Sequence, residues 1–108
     1  MDSRLVKIAV FAPATHGDVV RKALAEAGAG HIGNYDFCSF TTSGTGRFRG
    51  LDGSKPFIGK PGNIEQADEE RIEVICSADI LEKVLKAVRA VHPYEEPAID
   101  VYPLLNEA

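Results

Sequence analysis

Apolar and polar residues alternate along this chain in four extended and two helical stretches. Residues 5–11 place Val6, Ile8 and Val10 on one side of an extended segment, which predicts a strand. Ala12-Pro13-Ala14-Thr15 breaks it, and Thr15 with Asp18 three residues on has the form of a helix N-cap with an acid in the first turn. Val20, Ala23, Leu24 and Ala27 then recur at helical spacing, and Gly28 and Gly30 supply the stop. Residues 35–42 predict a second strand, and residues 71–76, with Ile72, Val74 and Cys76 alternating against Arg71 and Glu73, a third. Ser77 is placed to cap a second helix with an apolar stripe of Leu81, Val84, Leu85 and Val88. That helix ends before His92-Pro93, because the residue preceding proline disfavours the α region. Residues 98–102 form a last strand, with Ile99 and Val101 on one face.

The order strand, helix, strand, long connection, strand, helix, strand predicts an α+β fold. It is a ferredoxin-like βαββαβ sandwich, a four-stranded antiparallel sheet with two helices on one face and a long loop, residues 44–70, between strands two and three. Right-handed crossovers make the two strands of each half parallel, with the third strand lying antiparallel between the first two. This topology gathers the turn at 12–17 with His16, the 44–70 connection and the turn at 92–97 at one end. The turn at 28–34, with His31, falls at the other. Leu5, Ala9 and Phe11 point away from the helices on a central strand, and such an apolar patch predicts self-association, as a trimer first and a dimer second.

Composition narrows the classes. The 108 residues suit one domain, 1–108, and the 44% hydrophobic and 26% charged composition is that of an ordinary folded protein. No apolar run approaches the roughly 18 residues of a membrane span, so no membrane partner is expected. The N-terminal Met1-Asp2-Ser3-Arg4-Leu5 lacks the features of a secretion signal, which predicts a cytoplasmic location. Two cysteines build no disulfide framework, and Cys38 and Cys76 both read as small core residues. A net charge of −4 argues against nucleic acid as a partner. The charge is uneven, however. Residues 44–62 hold Arg47, Arg49, Lys55 and Lys60 against Asp52 alone, while residues 63–108 hold eleven acids and four bases.

Three stretches carry candidate chemistry. In His92-Pro93-Tyr94-Glu95-Glu96-Pro97, an imidazole and two carboxylates supply either a metal ligand set (His92 with Glu95 or Glu96) or a proton-transfer pair, held stiff by two prolines. The plainer reading is a helix stop followed by a solvated turn. Adjacent Glu side chains in an extended segment point to opposite sides, so the two do not share one ion. In residues 28–36, three glycines allow close backbone approach, and His31, Asn34 and Asp36 are placed to face a ligand; the alternative is a helix cap and a tight turn. The glycine-rich, basic stretch 44–62 either cradles an anion through Arg47 and Arg49 or forms a charged edge strand around Arg47-Phe48-Arg49.

Taken together, Gly30-His31-Ile32-Gly33-Asn34-Tyr35-Asp36, Gly44-Thr45-Gly46-Arg47-Phe48-Arg49, Pro56-Phe57-Ile58-Gly59 and His92-Pro93-Tyr94-Glu95-Glu96-Pro97 form an ordered set. Over residues 5–104 the chain resembles the YqfO-type insert domain of the Nif-three-like dinuclear-metal proteins. In larger members that domain looks like a lid between two lobes that hold a metal pair. The lobes' ligands have no counterpart in this sequence, so neither the metal centre nor hydrolase activity is carried over. The insert is itself similar to CutA and PII-like trimers, and residues 92–97 resemble the His-Pro-Tyr-Glu-x-Pro signature of CutA proteins. The resemblance implies a ferredoxin-like subunit, a trimer, and a divalent-cation or small-ligand site between subunits.

The reading that results is a non-enzymatic, self-assembling binding or regulatory module. It would hold a small anionic ligand or a protein partner, with His31, Asn34, Asp36, Arg47, Arg49 and Tyr94 as candidate ligand contacts. The alternative is a divalent metal-ion-binding protein using His92, Glu95 and Glu96, helped by His31 of a neighbouring subunit. A small hydrolase ranks last, for want of a Ser/His/Asp set.

Overall fold

The computed structural model describes residues 4–107. The chain runs β1 (Arg4–Pro13), a 3₁₀ turn (Ala14–His16), α1 (Gly17–Glu26), β2 (Phe40–Arg49), β3 (Ile64–Ser77), a second 3₁₀ turn (Ala78–Ile80), α2 (Leu81–Val91) and β4 (Ile99–Glu107). The sheet order is β2-β3-β1-β4, and every neighbouring pair is antiparallel. This is the ferredoxin-like α+β sandwich that the apolar pattern predicts, with both helices on one face.

Register explains the core. Val6, Ile8 and Val10 stand opposite Cys76, Val74 and Ile72, so all six face the helices. There they meet Val20 and Leu24 of α1 and Val84 and Val88 of α2, all fully buried. Burial of such side chains contributes about 1.5–3 kcal/mol each. Arg21 ties α1 to the sheet, donating to Glu70 at 2.8 Å and Thr41 at 3.1 Å while also pairing with Asp18 at 2.7 Å.

Four local expectations are corrected. The second strand begins at Phe40 rather than residue 35, because residues 32–35 close a tight turn through two backbone bonds between Ile32 and Tyr35. It continues to Arg49, and β3 starts at Ile64, so the connection shrinks from 44–70 to 50–63. Glycines at 44 and 46 do not break the strand: Gly46 lies opposite Ala67, where a Cβ would run into the Glu69 carboxylate. Cys38 sits half-buried in the 27–39 connection instead of the core, while Cys76 is buried as expected, with its thiol pushed up to about 11 by desolvation and then by Asp79. Neither Thr15 nor Ser77 caps a helix through its side chain. The Thr15 hydroxyl bonds the His16 ring and the Ser77 hydroxyl bonds Asp79.

Two features of the sheet matter for its surface. First, β1 pairs β3 only from Glu69 onward, whereas β2 pairs β3 from Ile64. Beyond Pro13, β2 and β3 therefore continue as a two-stranded arm past the end of the central strand. Second, the face away from the helices keeps Phe40 at 68% and Tyr102 at 42% exposure, while Ala9 is fully covered within the subunit.

Candidate functional site

The end of the fold that carries residues 12–17, 50–63 and 92–98 is built around His92. Val91 ends α2, and His92 turns extended at φ −71° and ψ 131°, the conformation that the following proline imposes. Its ring is buried at 8% exposure. Nε2 lies 2.7 Å from the Phe11 carbonyl oxygen, which only accepts, so Nε2 carries the proton and donates. Nδ1 accepts from the Tyr94 backbone N–H at 3.1 Å. The ring is therefore neutral, and it ties β1 to the 92–97 turn. Desolvation holds its pKa below the ordinary value, opposed by the Phe11 bond and the Glu69 charge and aided by His16.

That geometry leaves His92 no free ring nitrogen within the subunit. Both nitrogens of His92 are engaged with backbone groups, so ligation of a metal would break one of these buried bonds. Glu95 and Glu96 are exposed, and one Glu95 oxygen accepts the Lys55 backbone N–H at 2.9 Å. Among the described residues, no group of three or more His, Cys, Asp or Glu side chains is placed to hold a metal ion.

Tyr94 carries the site outward from His92. Its hydroxyl donates to Glu69 at 2.7 Å, and burial followed by that carboxylate pushes its pKa well above the usual range. Its ring lies 5.0 Å from His92, 6.4 Å from Phe48 and 6.3 Å from Phe57, tilted by about 50° to each. The His16 ring meets Phe57 edge-on at 5.4 Å. Between the arm, the 50–63 loop and the 94–98 turn opens a cleft of about 540 Å³, lined by Phe48, Phe57 and Tyr94 with Phe11, Pro56 and Ile58 and by Glu69, Glu95 and Glu96.

The other candidates lie on the arm or far from the cleft. Arg47 and Arg49 contribute to the wall of the arm, but register pairs them with Gln66 and Ile64, on the face opposite to Phe48 and Glu65. Both side chains are exposed. Among the described residues no ion pair joins Arg47, Arg49, Lys55 or Lys60 to Glu95 or Glu96, so no electrostatic seam closes the loop within the subunit. His31, Asn34 and Asp36 are all exposed at the opposite end, and the structure does not bring them to the cleft. Glu69 escapes notice in the sequence, one acid in a run of them. Its signal is Gly46, a strand-interior glycine that lets a side chain close over the backbone.

No protein-family model matches the chain. Among solved structures, the divalent cation tolerance protein CutA from Archaeoglobus fulgidus superposes with a TM-score of 0.69 at 22% identity, over 96% of this chain and 87% of that one. The domain thus has the CutA-like form of the ferredoxin fold. A Bacillus cereus protein related to NIF3 superposes at 0.85 with 48% identity, over 97% of this chain but 27% of that one. The "GTP cyclohydrolase 1 type 2 homolog" of Halalkalibacterium halodurans is 53% identical over 103 residues, and that of Bacillus subtilis 46% over 100. The chain spans little more than a quarter of the length of these relatives, 28% and 27%. It is an insert domain of the Nif3 family.

Proposed function

We propose that the domain is a non-enzymatic binding module whose cleft between the β2–β3 arm and the 94–98 turn holds a small, largely apolar ligand. The observation that carries this reading is the aromatic wall of Phe48, Phe57 and Tyr94 around a space of about 540 Å³, which falls within the range of small-molecule sites. Pre-formation supports it as well, because His92 and Glu69 hold Tyr94 at both its backbone and its hydroxyl. Nile red emission tests the reading. Emission is expected to rise and shift to the blue on adding wild type, and Phe48→Ser should remove most of that response. An equal response from the variant would refute the cleft as the binding site.

The module also self-assembles in this proposal, as a trimer, through the sheet face away from the helices, where Phe40 and Tyr102 are exposed. Light scattering at micromolar concentration should give a mass of three subunits, and Phe40→Glu with Tyr102→Glu should return it to the 11.6 kDa monomer. A wild type that scatters only as a monomer would end this part of the proposal.

A further inference from the structure

We infer that the ligand taken by the cleft is an organic cation, an ammonium group carried on an apolar body. The inference rests on the reading of the cleft as a binding site and names its ligand class. Three carboxylates, Glu69, Glu95 and Glu96, reach the cleft among its aromatic rings. One oxygen of Glu69 accepts the Tyr94 hydroxyl, and the carboxylate has no ion-pair partner among the described residues. A neutral ligand covering Glu69 would bury an unpaired charge, which is costly, and an anion would meet like charge. A cation pairs with it.

The rings serve the same chemistry. Tyr94 is tilted by about 50° to both Phe48 and Phe57, and all three rings border the enclosed space, where a cation could meet an aromatic face. At the inner edge, the Arg71 guanidinium already sits 5.5 Å above the Phe11 ring, a cation on an aromatic face within the subunit. The bases near the cleft are engaged or turned aside: Arg71, on the same sheet face as Glu69, lies over Phe11 and 3.7 Å from Glu73. Arg47 and Arg49 border the cleft along the arm, but alternation along β2 sets their side chains on the face opposite to Phe48, and Lys55 meets Glu95 through its backbone N–H. His16 lies against Phe57 as a further titratable neighbour.

Calorimetric titration of the full chain with three probes of similar size tests the inference: benzyltrimethylammonium chloride, benzyl alcohol and sodium phenylacetate. The ammonium probe should bind at least about tenfold more tightly than either of the others, and more weakly as salt is raised. Glu69→Gln keeps an acceptor for the Tyr94 hydroxyl but loses the charge. It should weaken the ammonium probe at least about fivefold and leave benzyl alcohol bound as tightly or more tightly. Glu96→Gln, on the exposed rim, should weaken the ammonium probe in the same direction and less. Equal or tighter binding of benzyl alcohol or phenylacetate would overturn the cation assignment while leaving a binding cleft. If none of the three probes binds, the cleft itself fails as a site.

Discussion

His92→Ala should cost about 2–4 kcal/mol of folding stability, because it leaves two buried backbone groups without partners. The Phe11 carbonyl loses its 2.7 Å donor, and the Tyr94 N–H loses its acceptor. At roughly 4–8 °C per kcal/mol for a domain of this size, the melting temperature should fall by about 10 °C or more. The same ring sets a pH dependence. Its folded pKa lies below the unfolded value of about 6.5, so between those two values the unfolded chain binds more protons than the folded one. The stability it contributes is therefore complete above about pH 6.5 and is lost as pH falls toward the folded pKa. The charges nearest the ring, Glu69 and His16, act in opposite directions on that value. Melting curves from pH 7.5 to 5 should show the wild type losing stability across this window, and His92→Ala should lose that part of the slope. A variant as stable as wild type, with an unchanged slope, would remove His92 from this structural role.

Gly30→Ala should be equally damaging, and Gly33→Ala mild by comparison. Both glycines adopt positive φ, 78° and 55°, where a Cβ costs about 1–2 kcal/mol. Around Gly33 nothing lies within 4 Å of the added atom. At Gly30 the atom would run into the Cys38 carbonyl oxygen, part of the backbone. That same stretch is stitched by Gly30 N–H to the Ile75 carbonyl at 2.7 Å and Cys38 N–H to the Gly30 carbonyl at 2.9 Å. Overpacking adds about 1–3 kcal/mol, for a total near 2–5 against about 1–2 at Gly33. Urea melts of the two variants give the comparison directly. Equal losses would mean that the connection yields and the close approach is unimportant.

The fold was legible in the sequence because its signal is local and periodic. Val6, Ile8 and Val10 alternate, Val20 and Leu24 repeat at helical spacing, and Pro93 marks where α2 must stop. What fails is whatever depends on cross-strand partners. The extension of β2 through Gly44 and Gly46 comes from pairing with residues 64–69 of β3, which no residue of β2 announces. The site divides in the same way. His92-Pro93-Tyr94 was visible as a cluster, and the topology placed it with the 44–62 stretch. The roles were not visible, since His92 spends its two nitrogens on Phe11, 81 residues away, and on Tyr94. Arg47 and Arg49, prominent by charge, yield to Phe48 and Glu69, because a strand sends neighbouring side chains to opposite faces.

The domain is expected to take its ligand in the aromatic cleft beside the arm, rather than around Phe40 and Tyr102 farther along the same side of the sheet. Amide chemical shifts of the nitrogen-15-labelled chain, followed while benzyl alcohol is added, test it most directly. The shifts are expected to fall at residues 46–58, at Glu69 and at residues 94–98, and to trace one saturating curve. Shifts centred instead on Phe40 and Tyr102, with the cleft amides unmoved, would contradict it.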